Sequence, residues 1–213
     1  NEQGAAHMAS GYARVTKQAG VCTATSGPGA TNLITGIATA YMDSIPMVAL
    51  TGQVATKLIG KDAFQEVDIT GATLPFTKHS YLIKDGLDIP RVVNEAFHIA
   101  NTGRPGPVLI DFPMDLLKKE FDYPDEDEDV NIRGYKLMGK ANESQVKKVA
   151  EAIKGAKKPV ILAGGGVVIS DATNEFRKFV KETDIPVVST MMGIGILPSD
   201  NPRYYGMIGS HGV

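Results

Sequence analysis

Short strand-like runs alternate with helical patterns over the first half of the sequence. Four runs have the length and mostly apolar character of strands buried in a parallel sheet; they lie at residues 20–24, 46–50, 79–83 and 107–111. Helices are predicted between them, at residues 2–17, 31–42 and 89–102, with one or two short helices at 66–76. This alternation predicts an α/β fold, in which helices cover both faces of a parallel sheet.

A polar interruption separates this half from a second α/β pattern. Six of the eight residues from Asp122 to Asp129 are acidic, which predicts a solvated linker. Beyond it, helices are predicted around residues 146–153 and 173–182, and strands at 159–163 and 186–190. We therefore predict a first domain at residues 1–117, an acidic linker at 118–141 and a second domain at 142–213. The second domain shows two clear strands, so we expect it to be truncated.

Composition narrows the classes of function. The 213 residues are 43% hydrophobic and 22% charged, and the net charge of −2 argues against a nucleic-acid partner. No apolar run approaches the roughly 20 residues that span a bilayer, so no membrane segment is expected. The single cysteine, Cys22, excludes an internal disulfide and fits a cytoplasmic protein. Because the chain begins without Met, we expect the first domain to lack its N-terminal start.

Two glycine-rich turns are the candidate binding features. Gly27-Pro28-Gly29 lies between a strand and a helix, where backbone N–H groups can face a ligand; an ordinary βα turn is the alternative. Gly164-Gly165-Gly166 also follows a strand and is either a plain turn or a place where backbone approaches a phosphate or flat ring. Neither dinucleotide-binding nor P-loop glycine spacing occurs, and the four histidines and one cysteine have no zinc-site spacing.

Five blocks of the first domain form a distinctive set in sequence order: Glu2–His7, Thr25–Asn32, Thr51–Val54, Gly60–Glu66 and Gly103–Val108. Together they resemble the thiamine-diphosphate-dependent enzymes, and among these the acetohydroxyacid (acetolactate) synthases. In the second domain, Gly164–Gly166, Ser189–Gly193 and Met207–Gly212 resemble the central, flavin-binding domain of these enzymes. The resemblance covers about a third of such an enzyme and does not include its diphosphate-binding domain, so we expect this piece alone to be inactive.

The resemblance implies a reaction and a set of partners. These synthases decarboxylate pyruvate and join the product to a second 2-oxo acid, pyruvate or 2-oxobutyrate. This is the first common step of isoleucine, valine and leucine biosynthesis. The implied cofactors are thiamine diphosphate, FAD and Mg²⁺, the last with its ligands outside this chain. The implied assembly is a homodimer or homotetramer of catalytic subunits with a separate small regulatory subunit, in the cytoplasm of a bacterium or in a plastid or mitochondrion.

The resemblance also assigns roles to particular residues. Glu2 matches the catalytic glutamate that hydrogen-bonds the aminopyrimidine ring, and burial in an apolar pocket would raise its pKa. The positions that match the lining of the pyrimidine are Thr25, Pro28 and Asn32. Gln65 matches a polar contact to reaction intermediates, in a substrate or inhibitor channel lined by Ala55, Ala63, Phe64 and Gln65. The positions that match the surroundings of the flavin are Arg104, Gly164, Gly165, Gly166, Thr190, Met191, Met192, Met207 and His211.

Three positions depart from the family pattern. Asn1 replaces the histidine that usually precedes the catalytic glutamate, and Met114 replaces a common lysine. Ala55 stands where many members have proline beside the inhibitor channel, so we predict altered inhibitor binding.

Two alternatives to the synthase function stay open. One is another thiamine-diphosphate enzyme, such as a glyoxylate carboligase, a 2-oxo acid decarboxylase or an oxidase; the other is a non-catalytic piece that binds flavin or a partner chain.

Overall fold

The computed structural model describes residues 1–122 and 130–212, and the chain divides into two units, Asn1–Met138 and Gly139–Val213. In the first unit, helices and strands alternate in the predicted order. The elements are α1 (Glu2–Thr16), β1 (Gly20–Ala24), α2 (Pro28–Asn32), α3 (Ile34–Met42), β2 (Met47–Gln53), α4 (Ile69–Thr73), β3 (His79–Leu82), α5 (Ile89–Asn101), β4 (Pro107–Pro113) and α6 (Met114–Leu117). Short 3₁₀ turns lie at Thr56–Leu58, Leu74–Phe76 and Gly86–Asp88.

The first sheet has the order β1-β2-β4-β3, and every neighbouring pair is parallel. Val48 of β2 pairs with Val21 of β1 on one side and with Val108 of β4 on the other. The central strand β4 is buried along its whole length, as its apolar run predicts. The predicted α/β class with a parallel sheet is therefore confirmed.

Helices pack on both faces of this sheet. Val92, Ala96 and Ile99 of α5 join Val48 and Val108 in a buried cluster on one face. Leu109 is also fully buried, and because neighbouring strand residues point in opposite directions, it faces the other side. Burying each large aliphatic side chain contributes about 1.5–3 kcal/mol relative to exposure. The continuous apolar run of β4 is therefore buried on both faces of the sheet, as expected where helices cover both sides.

Some boundaries differ from the sequence expectations. The helix predicted at 31–42 begins earlier, at Pro28, because proline suits the first position of a helix. It is also divided at Leu33 into α2 and α3. The Asp88 side chain makes no capping bond to α5. Its Oδ1 instead accepts a hydrogen bond from Arg91 at 2.8 Å.

Part of the stretch predicted as a linker belongs to the first unit. Residues 123–129, which hold most of the acidic run, lie outside the described residues. Further along, Ile132 packs against the α5 cluster, and the Tyr135 hydroxyl donates to the backbone oxygen of Thr102 at 3.1 Å. Because these two side chains contact the first unit, the residues around them are not a solvated connection.

The second unit is also α/β. Its elements are α7 (Glu143–Gly155), β5 (Ile161–Ala163), α8 (Gly165–Ile169), α9 (Thr173–Thr183), β6 (Val187–Ser189) and β7 (Tyr204–Met207), with a 3₁₀ turn at Met191–Gly193. The three strands are parallel in the order β5-β6-β7. The expectation of two strands was wrong. The third strand, β7, was missed because its sequence, Tyr204-Tyr205-Gly206-Met207, lacks the apolar run that marks the other two. Within the described ranges, no helix is long and apolar enough to cross a membrane.

Candidate active site

The segments singled out in the first domain meet the carboxyl end of the first sheet. β1 ends at Ala24 and leads into the turn at Thr25–Gly27, while β2 ends at Gln53 and leads into Val54-Ala55. Ligands of open parallel sheets bind outside the carboxyl ends of the strands. The topology therefore places the Gly27 turn and the start of the predicted channel at the edge where a ligand is expected.

The turn after β1 depends on a backbone conformation that glycine adopts readily. Gly27 precedes α2 with φ of 62°, in the left-handed region that costs other residues energy. Pro28 then starts α2, and both Thr25 and Pro28 are exposed. The turn thus presents two exposed side chains above the sheet.

Glu2 and Asn32 are hydrogen-bonded to each other. The Asn32 Nδ2 donates to the Glu2 Oε2 at 3.1 Å, which joins the first turn of α1 to the end of α2. The Asn1 side chain caps the same helix by accepting from the Gly4 N–H at 3.3 Å. Because Ala6, Ala9 and Ala13 of α1 are small and buried, the helix lies close to its neighbours. The structure thus brings together two residues that are predicted to contact the same ring.

The expected rise of the Glu2 pKa is not found in this structure. The pKa of Glu2 lies below its ordinary value, because its own backbone N–H and then the Asn32 amide stabilise the carboxylate. The side chain lies at the surface, where burial opposes this effect only weakly. Glu2 is therefore ionised at neutral pH.

Gln65 lies directly against the Gly27 turn. A Cβ atom built on Gly27 would be 2.8 Å from both the Cβ and the backbone oxygen of Gln65. Gln65 itself has φ of 59°, which is uncommon for a residue with a side chain. The turn and the Gly60–Glu66 loop, which are far apart in sequence, are thus in contact.

The remaining channel residues differ in exposure. Ala55 is 7% exposed, whereas Phe64 is 89% exposed, and Ala63 lies between these extremes. The chain just after Ala55 is joined to α6, because the Thr56 N–H and hydroxyl donate to the Asp115 carboxylate at 2.9 and 2.6 Å. An apolar ring that stands almost entirely in solvent is available for a ligand or another protein surface.

Sequence reasoning missed a buried polar network beneath these loops. The Thr51 hydroxyl donates to Oδ1 of Asp111 at 2.7 Å, and the Gln53 amide donates to Oδ2 at 2.9 Å. The same amide donates to the backbone oxygen of Val67 at 2.8 Å, while the Gln53 Oε1 accepts from the Val54 N–H at 2.9 Å. Asp111 is 1% exposed, and burial raises its pKa to about 6. An Asp at the end of an otherwise apolar strand was the available signal.

In the second unit, the predicted flavin segments follow the carboxyl ends of three neighbouring strands. A Cβ built on Gly164 would lie 3.5 Å from Oγ1 of Thr190, and one built on Gly165 would lie 3.0 Å from Cβ of Met192. The Thr190 N–H donates to the backbone oxygen of Ala163 at 2.9 Å. Met207 is the last residue of β7, and His211 is exposed beyond it. The glycines thus leave their backbone uncovered beside the side chains of Thr190 and Met192.

Two domain families match the sequence, one within each unit. Residues 1–72 match the thiamine pyrophosphate enzyme N-terminal TPP binding domain, and residues 146–213 match the thiamine pyrophosphate enzyme central domain. The chain belongs to the thiamine pyrophosphate enzymes. Within the family matches lie all the predicted pyrimidine, channel and flavin residues except Arg104.

Close relatives of the chain share one name. The chain is 52% identical to "acetolactate synthase" of Mycobacterium leprae, 53% identical to a "probable acetolactate synthase large subunit" of Methanocaldococcus jannaschii and 50% identical to "acetolactate synthase large subunit" of Corynebacterium glutamicum. Each alignment includes 100% of this chain but only 34–36% of the relative. The chain therefore spans about a third of the length of these members of the thiamine pyrophosphate enzymes.

The family matches do not include Arg104, and they do not identify metal ligands. The Arg104 Nε donates to the Ser44 hydroxyl at 2.7 Å within the first unit, so its flavin contact stays a prediction. Among the residues that the structure describes, no group of three or more His, Cys, Asp or Glu side chains could hold a metal ion.

Proposed function

We propose that the full-length protein is a thiamine-diphosphate-dependent acetolactate synthase that decarboxylates pyruvate and joins the product to a second 2-oxo acid. The observation that carries this proposal is the clustering of Glu2, Asn32, the Gly27 turn and Gln65 at one edge of the first sheet. Identity near 50% to proteins named acetolactate synthase supports the synthase over other members of the family.

The residues present fit an aminopyrimidine ring. Glu2 offers a carboxylate that can hydrogen-bond a ring nitrogen, and Asn32 holds that carboxylate at 3.1 Å. Thr25 and Pro28 are exposed on a turn whose glycines add no side chains, which leaves space for a flat ring. When bound, thiamine diphosphate supplies the electron sink that allows the keto acid to lose CO₂.

Glu2 has to exchange a proton with the ring at neutral pH. Before a ring binds, Glu2 is a carboxylate, because hydrogen bonds hold its pKa below the ordinary value. A ring that covers Glu2 would remove water from the carboxylate and raise its pKa toward the pH at which proton exchange is efficient. The Asn32 bond keeps the carboxyl group aimed at the ring while its charge changes.

Gln65 and Phe64 belong to the substrate side of the proposal. The Gln65 amide can donate to and accept from the oxygens of a keto acid, and Phe64 offers an exposed apolar face beside it. Ala55 and Ala63 are small, so they leave width for substrate in the channel. Together these side chains orient the second keto acid and exclude water from the reacting carbons.

FAD and Mg²⁺ remain parts of the proposal. The edge formed by Gly164, Gly165 and Thr190 fits a flat group, because a Cβ on Gly165 would approach Met192 within 3.0 Å and fill the space. The other flavin contacts proposed here are Arg104, Gly166, Met191, Met192, Met207 and His211. Mg²⁺ and the diphosphate are proposed to bind parts of the full-length protein outside this chain.

Association with other subunits also belongs to the proposal. Four large side chains on α1 and the edge strand β1 are about half exposed or more: Met8, Tyr12, Val15 and Val21. Such a surface supports burial against further protein, as in a homodimer or homotetramer. The word "subunit" in the names of two relatives supports a separate small regulatory subunit. A cytoplasmic location is proposed with it.

Product identification tests the proposal. Full-length protein is supplied with ¹³C-labelled pyruvate, thiamine diphosphate, FAD and Mg²⁺, and the products are followed by NMR. We expect labelled acetolactate, and mixed products when 2-oxobutyrate is added. Labelled acetaldehyde would instead identify a decarboxylase, labelled acetate an oxidase, and tartronate semialdehyde from glyoxylate a glyoxylate carboligase.

A further inference from the structure

Phe64 and Gln65 occupy the centre of a tight turn. The Glu66 N–H donates to the backbone oxygen of Ala63 at 2.9 Å, which closes a four-residue turn. Gln65 at the third position has φ of 59°, while Phe64 at the second position has no positive φ. This combination is characteristic of a type II turn, whose third position favours glycine. The turn therefore holds Gln65 in a conformation that needs support from its surroundings.

The Glu66 side chain supplies that support. Its Oε2 accepts from the Ala63 N–H at 2.9 Å, so Ala63 and Glu66 are joined by two reciprocal bonds on either side of the turn. Its Oε1 accepts from the Gly60 N–H, at the start of the loop. Backbone N–H groups that converge on a carboxylate form a nest for negative charge, and they lower the pKa of Glu66. One carboxylate thus ties both ends of the loop.

A third contact fixes the turn from the side of the sheet. Gly27 packs against Gln65 so closely that a Cβ on Gly27 would lie 2.8 Å from the Gln65 Cβ. The loop also contains Gly60 and Asp62 with φ of 79° and 52°. Because three left-handed residues lie within six positions, this loop would not keep its shape without the hydrogen bonds that hold it.

We propose that Glu66 is a positioning residue, which holds Gln65 at the mouth of the site through the backbone of the Gly60–Glu66 loop. The inference rests on the proposed function, because it takes Gln65 to act on reaction intermediates. Glu66 touches neither the pyrimidine residues nor the substrate in this scheme. Its effect on the reaction passes through Gln65.

A double-mutant cycle in the full-length protein tests this inference. Glu66→Gln keeps the size of the side chain but replaces one of its two acceptor oxygens by an amide donor. We expect kcat/KM for pyruvate to fall about ten- to a hundredfold, the scale for a reacting group misplaced by about 1 Å. On a Gln65→Ala background, the same change should lower kcat/KM by less than about twofold, because the group it positions is gone. Equal losses on both backgrounds would overturn the inference.

Two further readouts separate the possible failures. Amide hydrogen exchange of the 58–67 segment should become faster in Glu66→Gln than in the unmodified protein, and thiamine diphosphate affinity should not change. The control Asp85→Asn removes a carboxylate that accepts from the Leu87 N–H at 3.1 Å in another loop, and it should change none of these readouts. Unchanged exchange in Glu66→Gln would overturn the positioning role whatever the activity. Absence of acetolactate from the unmodified protein would overturn the proposed function instead.

Discussion

Gly27 and Gln65 touch backbone to side chain across two segments that are distant in the sequence, and both have φ near 60°. Gly27 adopts this conformation readily, whereas Gln65 needs support from its surroundings, since left-handed backbone is sparsely populated by residues other than glycine. The absent side chain of Gly27 makes the space into which the Gln65 turn fits. The turn that the sequence indicated as a candidate binding feature therefore also supports a loop.

A side chain at position 27 should destabilise the protein through two separate causes. Gly27→Ala puts a Cβ in left-handed backbone and also 2.8 Å from Gln65. Gly60→Ala is the matched control, because Gly60 has φ of 79° but a Cβ added there would meet no atom within 4 Å. The control should cost about 1–2 kcal/mol for the backbone alone. Chemical unfolding should show a clearly larger loss for Gly27→Ala, and equal losses would contradict the contact.

The buried Asp111 should give the stability a specific pH dependence. Its pKa is raised to about 6 in the folded chain from an ordinary value of 3.8. The stability that protonation provides is fully present below about pH 4, is lost as pH rises toward 6, and stays lost above it. The full loss is on the order of 2–3 kcal/mol, from about 1.4 kcal/mol per pKa unit.

Asp111→Asn tests this pH dependence. Asparagine can accept from Gln53 through its oxygen and donate to the Thr51 hydroxyl through its amide, so the network survives without a charge. Unfolding should show the variant gaining stability relative to the unmodified protein as pH rises from 4 to 7. A difference between the two proteins that is the same at both pH values would rule out titration of Asp111.

Proline at position 55 should be compatible with the backbone. Ala55 has φ of −57° and ψ of 145°, and proline fixes φ near −65°. Where the conformation is already suitable, proline stabilises by about 0.4–1 kcal/mol by restricting the unfolded chain. Ala55→Pro should therefore leave the melting temperature unchanged or slightly higher while inhibitor affinity changes. A lower melting temperature would show that the ring clashes, and an unchanged inhibition constant would remove Ala55 from the channel.

The sequence predicted the fold of the first unit well because its signals are local. Apolar runs such as residues 107–111 identify strands that are buried on both sides, and β4 is buried along its length. The third strand of the second unit was missed because its four residues, Tyr204–Met207, include no aliphatic run. A strand is hard to predict from sequence where the segment contains few apolar residues.

The site was predicted through resemblance, and its supports were not predicted at all. Glu2, Asn32 and Gln65 could be chosen as candidates from motif blocks. Three supporting contacts depend on the tertiary structure. They are the packing of Gly27 on Gln65, the hydrogen bonds of Glu66 within its loop, and the bonds from Gln53 to Asp111 and Val67. Pairings of this kind lie between segments, so no periodicity or spacing in one segment reveals them. The pKa of Glu2 was mispredicted for the same reason, since its direction follows from hydrogen bonds rather than from burial.

The central claim is that Glu2 activates thiamine diphosphate for acetolactate formation, and one comparison tests it most directly. The kcat for acetolactate is measured in full-length protein, for the unmodified chain, Glu2→Gln and Glu143→Gln. The control is matched because Glu143, like Glu2, is an acidic residue in the first turn of a helix. We predict that Glu2→Gln lowers kcat by about 10²–10⁴-fold, the usual scale for losing an acid–base group, while Glu143→Gln leaves it unchanged. Equal kcat values for Glu2→Gln and the unmodified protein would contradict the account.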